Sequence, residues 1–95
     1  MIIDHDKVME AKEILGDRNA TLMAEMLQLE DYDENNMKAL CSFHHEDTPS
    51  LIYNPKNYTY HCFGCQKTVD ILDVYMQTQH LTYIEAVQKL FEEAG

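Results

Sequence analysis

Two short stretches hold the residues best suited to chemistry. Cys41-Ser42-Phe43-His44 and Cys62-Phe63-Gly64-Cys65 each place two soft donors with two residues between them. That spacing lets a single tight turn deliver both donors to one small ion. The pair of knuckles, seventeen residues apart, offers three thiolates and one imidazole. This is the closed tetrahedral set that structural zinc takes. We therefore expect one structural zinc ion on Cys41, His44, Cys62 and Cys65. Gly64, without a Cβ, is expected to take positive φ and turn backbone amides toward the sulfurs. Two other histidines compete for the fourth place. His45 would make a looser turn with Cys41. His61 adjoins Cys62, so in an extended strand its ring points to the opposite face. Both are read as surface or packing residues, and His5 and His80 as solvated.

Composition bounds the setting. The chain has 95 residues and three cysteines. That length suits one domain with a modest core, which a metal crosslink would support. An odd cysteine count does not suit a disulfide framework. No apolar run is long enough to span a membrane and no signal peptide is evident. A reducing cytoplasm, where thiolates stay available for zinc, is the expected compartment. The formal charge is −10 and unevenly spread. Residues 1–36 carry ten acids against three bases, residues 37–69 two against three, and residues 70–95 five against one. A phosphate backbone would not be drawn to such a chain by bulk charge. Only the central segment, at +1, offers a surface for nucleic acid.

The flanking elements have to position the knuckles. A helix opens at Asp4-His5-Asp6, carries the stripe Val8, Ala11, Ile14 and Leu15, and stops at Gly16. A second begins near Asn19, with Leu22, Met23, Met26 and Leu27 at helical spacing. The acidic run over residues 30–36 reads as a solvated turn between two short strands, the second entering the first knuckle from Met37. Leu51-Ile52-Tyr53 and Tyr58-Thr59-Tyr60-His61 read as strands joined by the turn Asn54-Pro55-Lys56-Asn57. The second of them feeds Cys62 to the metal. Thr68 is expected to cap a helix with Ile71, Leu72, Tyr75 and Met76 inward. Thr82-Tyr83-Ile84-Glu85 is a capping box opening a last helix, whose stripe is Ile84, Val87, Leu90, Phe91 and Ala94. The expected organisation is a single domain over residues 1–95. Helices and the acidic turn occupy 1–36, the metal ribbon 37–66 and the closing helices 67–95.

The longer strings Cys41-Ser42-Phe43-His44-His45-Glu46-Asp47-Thr48-Pro49-Ser50 and Tyr60-His61-Cys62-Phe63-Gly64-Cys65 resemble a known family. It is the N-terminal zinc-binding domain of bacterial and phage DNA primases of the DnaG type. The likeness runs over about residues 37–92. It implies an α+β fold, a zinc ribbon with a small antiparallel sheet flanked by helices. It also implies contact with single-stranded template DNA and help in starting primers, alongside a separate polymerase domain that holds the catalytic carboxylates. The chain departs from the family pattern at Ser42, where proline is usual, and at Asp47, where lysine is usual. Acids also replace basic residues over 30–34, and Gln66 and Val69 replace glycines that commonly follow the last cysteine. The zinc ligands are intact, while the electropositive surface is thinned.

Three function classes follow. The first is a template-reading module without its own polymerase centre. Lys38, Lys56, Tyr58, Tyr60 and Lys67 are its candidate DNA contacts, with aromatic rings stacking on bases and lysines meeting phosphates. The second is an acidic, zinc-stapled module that docks on a basic partner, such as a primase polymerase domain or a replicative helicase. The third is a zinc deaminase, suggested by His44-His45-Glu46 ahead of Cys62-Phe63-Gly64-Cys65. Cys41 fills the position a catalytic water would need, no proline precedes Cys62, and the intervening residues form a hairpin. The deaminase reading is set aside on those grounds.

Overall fold

A computed structural model describes residues 4–29, 33, 37–40 and 50–95. Its elements in chain order are α1 (His5–Leu15), α2 (Arg18–Leu27), β1 (Lys38–Ala39), β2 (Leu51–Asn54), β3 (Thr59–Cys62), β4 (Thr68–Val69), α3 (Ile71–Gln79) and α4 (Tyr83–Ala94). The four strands form one antiparallel sheet in the order β1-β2-β3-β4. This is an α+β fold of helices around a small meander.

The helix ends follow local chemistry. The Asp4 carboxylate accepts from the amides of Asp6 and Lys7 and so starts α1. Gly16 ends it at φ 55° and ψ −129°, a backbone conformation that a residue without a Cβ adopts most easily. Asn19 is fully buried at the corner that follows, and its amide donates to the carbonyls of Lys12 and Gly16, both at 2.8 Å. Asp70 and Asp73 form one capping box at α3, and Thr82 and Glu85 form another at α4. The bonds from Thr82 hold the Glu85 carboxyl below its ordinary pKa.

Period-two alternation gives the sheet two unlike faces. Ala39, Leu51, Tyr53, Tyr60, Cys62 and Val69 are buried. All of these but Ala39 join Val8, Leu15, Met23, Ile71, Val74 and Leu90 in one apolar core with the helices. Tyr53 and Tyr60 lie directly opposite each other, ring centroids 5.3 Å apart. The Tyr60 hydroxyl donates to the Ala20 carbonyl at 3.0 Å and pins α2 to the sheet. A partly buried ion pair, Lys12 Nζ to Asp70 Oδ2 at 2.8 Å, ties α1 to the cap of α3. Burial pushes the Asp70 carboxyl up, but the bonds from Lys12 and the Asp73 amide outweigh it and leave the pKa below the ordinary value.

Several expectations need correction. Thr68 does not cap α3. It lies in β4, and Asp70 is the cap because its carboxylate reaches the Asp73 amide. Ile14 and Ile84 leave their helical stripes for solvent, at 62% and 41% exposure, because each falls at the edge of its buried face. Apart from Asp33, whose backbone bridges Lys38, the acidic run over 30–36 lies outside the described residues. The element before it is α2, not a strand.

Candidate metal centre and adjoining sheet face

The second knuckle grows from the end of β3. Cys62 is the last residue of that strand and faces inward, so its sulfur sits at the rim of the core, fully buried. The chain then turns sharply. The Gln66 amide donates to the Cys62 carbonyl, and the Cys62 amide to the Lys67 carbonyl, both at 2.8 Å. This closure brings the Cys65 amide to 3.4 Å from Cys62 Sγ, and Ser50 Oγ lies at the same distance. A backbone amide aimed at a sulfur suits a thiolate, which is the form a metal takes. The left-handed residue of the turn is Gln66, φ 62°, and not Gly64 as the sequence suggested. The position after the last cysteine is therefore the one that demands unusual backbone, and a non-glycine bears it here.

Cys65 is exposed beside Cys62. Cys41 and His44 lie outside the described residues, as does His45. Among the described residues, no three of His, Cys, Asp and Glu gather into a metal-binding group. The donor chemistry of the second knuckle nevertheless fits zinc, with two thiols on one turn and an amide directed at the buried sulfur. β1 also aims the chain suitably. Ala39 pairs with Leu51, and Leu51 pairs with Cys62, so residue 39 lies in the same row of the sheet as the buried cysteine.

The outer face of the sheet carries a different row. Lys38, Ile52, His61 and Thr68 stand side by side in register across all four strands. His61 is on the face opposite Cys62. Its Nδ1 meets Thr68 Oγ1 at 2.6 Å and its Nε2 meets Gln66 Oε1 at 3.3 Å. The same ring makes an edge-on contact with Phe63, centroids 4.7 Å apart. Phe63 is 61% exposed, the most exposed aromatic ring among the described residues. A groove of about 420 Å³ runs over this face, lined by Ile52, Asn54, Thr59, His61, Phe63 and Thr68 among others. No carboxylate is among its described lining residues.

The candidate DNA contacts separate in space. Tyr60 is removed from the group: it is 0% exposed and bonded to Ala20, because its position in β3 points it inward. Tyr58 is half-buried against the edge of the core in a left-handed conformation, φ 59°. Its amide donates to the Asn54 carbonyl and closes the hairpin. Lys56 is exposed at the hairpin tip, Lys67 is exposed beyond the knuckle, and Lys38 is half-buried in β1. The sequence reading placed the His61 ring opposite Cys62 as a surface or packing residue and gave Thr68 a capping role, and it named none of Phe63, His61 and Thr68 as a DNA contact. The signal for Phe63 was parity: an inward Cys62 places both of its neighbours, His61 and Phe63, on the other side.

Comparison with known proteins identifies the family. Residues 7–95 match the model of the CHC2 zinc finger. The chain belongs to that family, the zinc-ribbon domain of DnaG-type primases. It is 42% identical over 74 residues to a DNA primase of Streptomyces coelicolor, covering 78% of this chain and 12% of that one. It is 35% identical over 74 residues to a DNA primase of Deinococcus radiodurans, again 78% of this chain and 13% of the relative. A DNA primase of Mycolicibacterium smegmatis is 32% identical over the same length, 12% of its own chain. The chain thus corresponds to a small part of each relative. A CHC2 zinc finger binds zinc. No described helix is long and apolar enough to cross a membrane.

Proposed function

We propose that this CHC2 domain holds one zinc ion on Cys41, His44, Cys62 and Cys65 and reads single-stranded template DNA with the outer face of its sheet. In that role it assists primer initiation beside a primase polymerase domain or replicative helicase. Bound zinc would act as a structural crosslink, joining the segment after β1 to the end of β3. Cys62 and the turn to Cys65 would then fix the outward aim of Phe63. The protein's residues bind and orient; the chain supplies no polymerase centre in this reading.

The observation that carries the proposal is the row Lys38, Ile52, His61 and Thr68 beside exposed Phe63. It combines a ring for stacking, hydrogen-bonding side chains and a lysine, and its groove carries no described carboxylate. Unpaired bases stack on aromatic side chains and lysines meet phosphates. Duplex DNA lacks accessible base faces, so unpaired bases are the favoured ligand of this face. Binding is expected to be weak and sensitive to salt, with a slope of about 0.7 per phosphate contacted.

The test is fluorescence titration of zinc-loaded protein with labelled single-stranded oligonucleotides at two salt concentrations. Lys56→Glu is expected to weaken binding and flatten the salt slope, whereas Tyr58→Ala weakens it with the slope nearly unaltered. Absence of binding at low salt would reject the template reading.

A further inference from the structure

A second groove, of about 420 Å³, lies between α1 and the end of α4. Ala11 and Ile14 form one side, Phe91 and Ala94 the other, with Lys7 and Glu10 also on its wall. Its volume falls in the usual range for binding clefts. Ile14 stands 62% exposed at its edge, where it continues the apolar wall formed with Ala11, Phe91 and Ala94. None of the lining residues belongs to the sheet, so this surface is separate from the proposed template face.

Charge selects the occupant. The surface of α1 carries Asp6, Glu10 and Glu13. Of its two lysines, Lys12 is turned inward onto Asp70 and lends nothing to the exposed surface. The last turn of α4 has no basic residue and holds Glu92 and Glu93, of which Glu93 is paired with Arg18 of α2 at 3.6 Å, so Glu92 is the acid that α4 adds to the surface. The negative end of the α4 dipole falls at the same place. A second copy of this chain would bring a like-charged rim against this one. We propose that the groove docks a helix of another protein, one that inserts an aliphatic stripe beside Ile14 and carries lysine or arginine on both flanks of that stripe. An amphipathic helix laid in an apolar groove is a recurrent mode of recognition.

The test uses the full zinc-loaded chain and a labelled synthetic helical peptide with a leucine stripe flanked by lysine and arginine. A second peptide has glutamate in place of every basic residue. Anisotropy is expected to show binding of the basic peptide and not of the acidic one. Ile14→Glu is expected to weaken that binding at least about tenfold, or roughly 1.4 kcal/mol. Ile84→Glu, which adds the same charge outside the groove, is expected to leave it unchanged or slightly strengthened. Both variants alter exposed positions, and zinc content with far-ultraviolet dichroism confirms their folding. The design separates groove from charge, because Ile14→Glu makes the surface more acidic. Binding that persists or strengthens in Ile14→Glu overturns the proposal, as does equal binding of the acidic peptide. Self-association by sedimentation that Ile14→Glu abolishes would make a second copy the occupant and also overturn it. Oligonucleotide binding should not change in Ile14→Glu.

Discussion

β3 shows its two faces in four residues. Tyr60 and Cys62 point inward and are completely buried, while Thr59 and His61 point outward and are half-buried. The inner pair serves the fold: one hydroxyl pins α2 and one sulfur sits at the rim of the core. The outer residues hold Phe63 in place through the His61 ring and its bonds to Thr68 and Gln66. Adjacent residues thus differ more in role than residues two apart. A tyrosine that resembles a stacking residue by type becomes a structural one by parity alone. The two faces should therefore respond to substitution in opposite ways.

Metal removal should have the largest effect. Zinc binding to small finger peptides provides on the order of 10–16 kcal/mol at neutral pH, more than a core of this size supplies alone. Chelation, or Cys62→Ser, is expected to unfold the ribbon. The tilted Tyr53–Tyr60 pair lies in the adjoining strands, so near-ultraviolet dichroism should collapse with it. A metal-free chain that keeps that signal would show that the inner face stands without the ion.

Substitution of Tyr60 comes next. Tyr60→Ala empties a large, fully buried volume and should cost about 3–5 kcal/mol in denaturant unfolding. Tyr60→Phe keeps the ring and removes the bond to Ala20, costing about 1 kcal/mol. If oligonucleotide affinity fell in Tyr60→Phe while stability did not, the division of the two faces would be wrong.

Lys12 tests whether stability can be changed from the helices without involving either sheet face. Lys12→Met leaves the Asp70 carboxylate partly buried without its partner, at a cost of about 2 kcal/mol near neutral pH. Asp70 has a depressed pKa in the folded state, so its contribution is full above its ordinary value of 3.8 and is lost as pH falls through the folded value. Asp73 behaves oppositely, since burial chiefly raises its pKa. Its protonation offsets part of the loss in both proteins. The difference between wild type and Lys12→Met should therefore shrink below about pH 4. A difference that stays constant as the pH is lowered until the Asp70 carboxylate is protonated in the folded wild type, followed by NMR, would mean that Lys12 acts through packing rather than charge.

How much of this was legible in the sequence depended on the range of the interaction. Local signals read well. Asp4 and Gly16 bound α1, Thr82 with Glu85 opens α4, and the hairpin turns around Pro55. The knuckle spacing and the family strings pointed to a CHC2 domain, which the family match bears out. Long-range partners were not legible: Lys12 and Asp70 are 58 positions apart, and nothing local marks either as paired. Strand parity was legible and placed the His61 ring, but it was not applied to the tyrosines. Buried Cys62 sends Tyr60 inward and Phe63 outward, yet the tyrosines were grouped by aromatic type. The left-handed turn at Gln66 was hidden because Gly64, two residues earlier, offered an easier place for it.

The sharpest test of the two faces has the smallest expected effect on stability. Phe63 is 61% exposed, and its edge-on contact with His61 is the described ring contact that truncation would remove. Phe63→Ala should therefore change unfolding by no more than about 0.5 kcal/mol, as surface substitutions usually do. Zinc content should also be unchanged, since the backbone turn from Cys62 to Cys65 does not depend on that ring. Template binding is a different matter. A stacked base is worth about 1–3 kcal/mol, so single-stranded affinity should fall roughly five- to 150-fold. Stacking exchanges no counterions, so the salt slope should stay where it is. Phe63→Trp, which enlarges the stacking surface, should restore or exceed the original affinity. If Phe63→Ala instead destabilised the fold and left oligonucleotide binding intact, the exposed ring would belong to the structural face, and the outer row would lose its claim to the template.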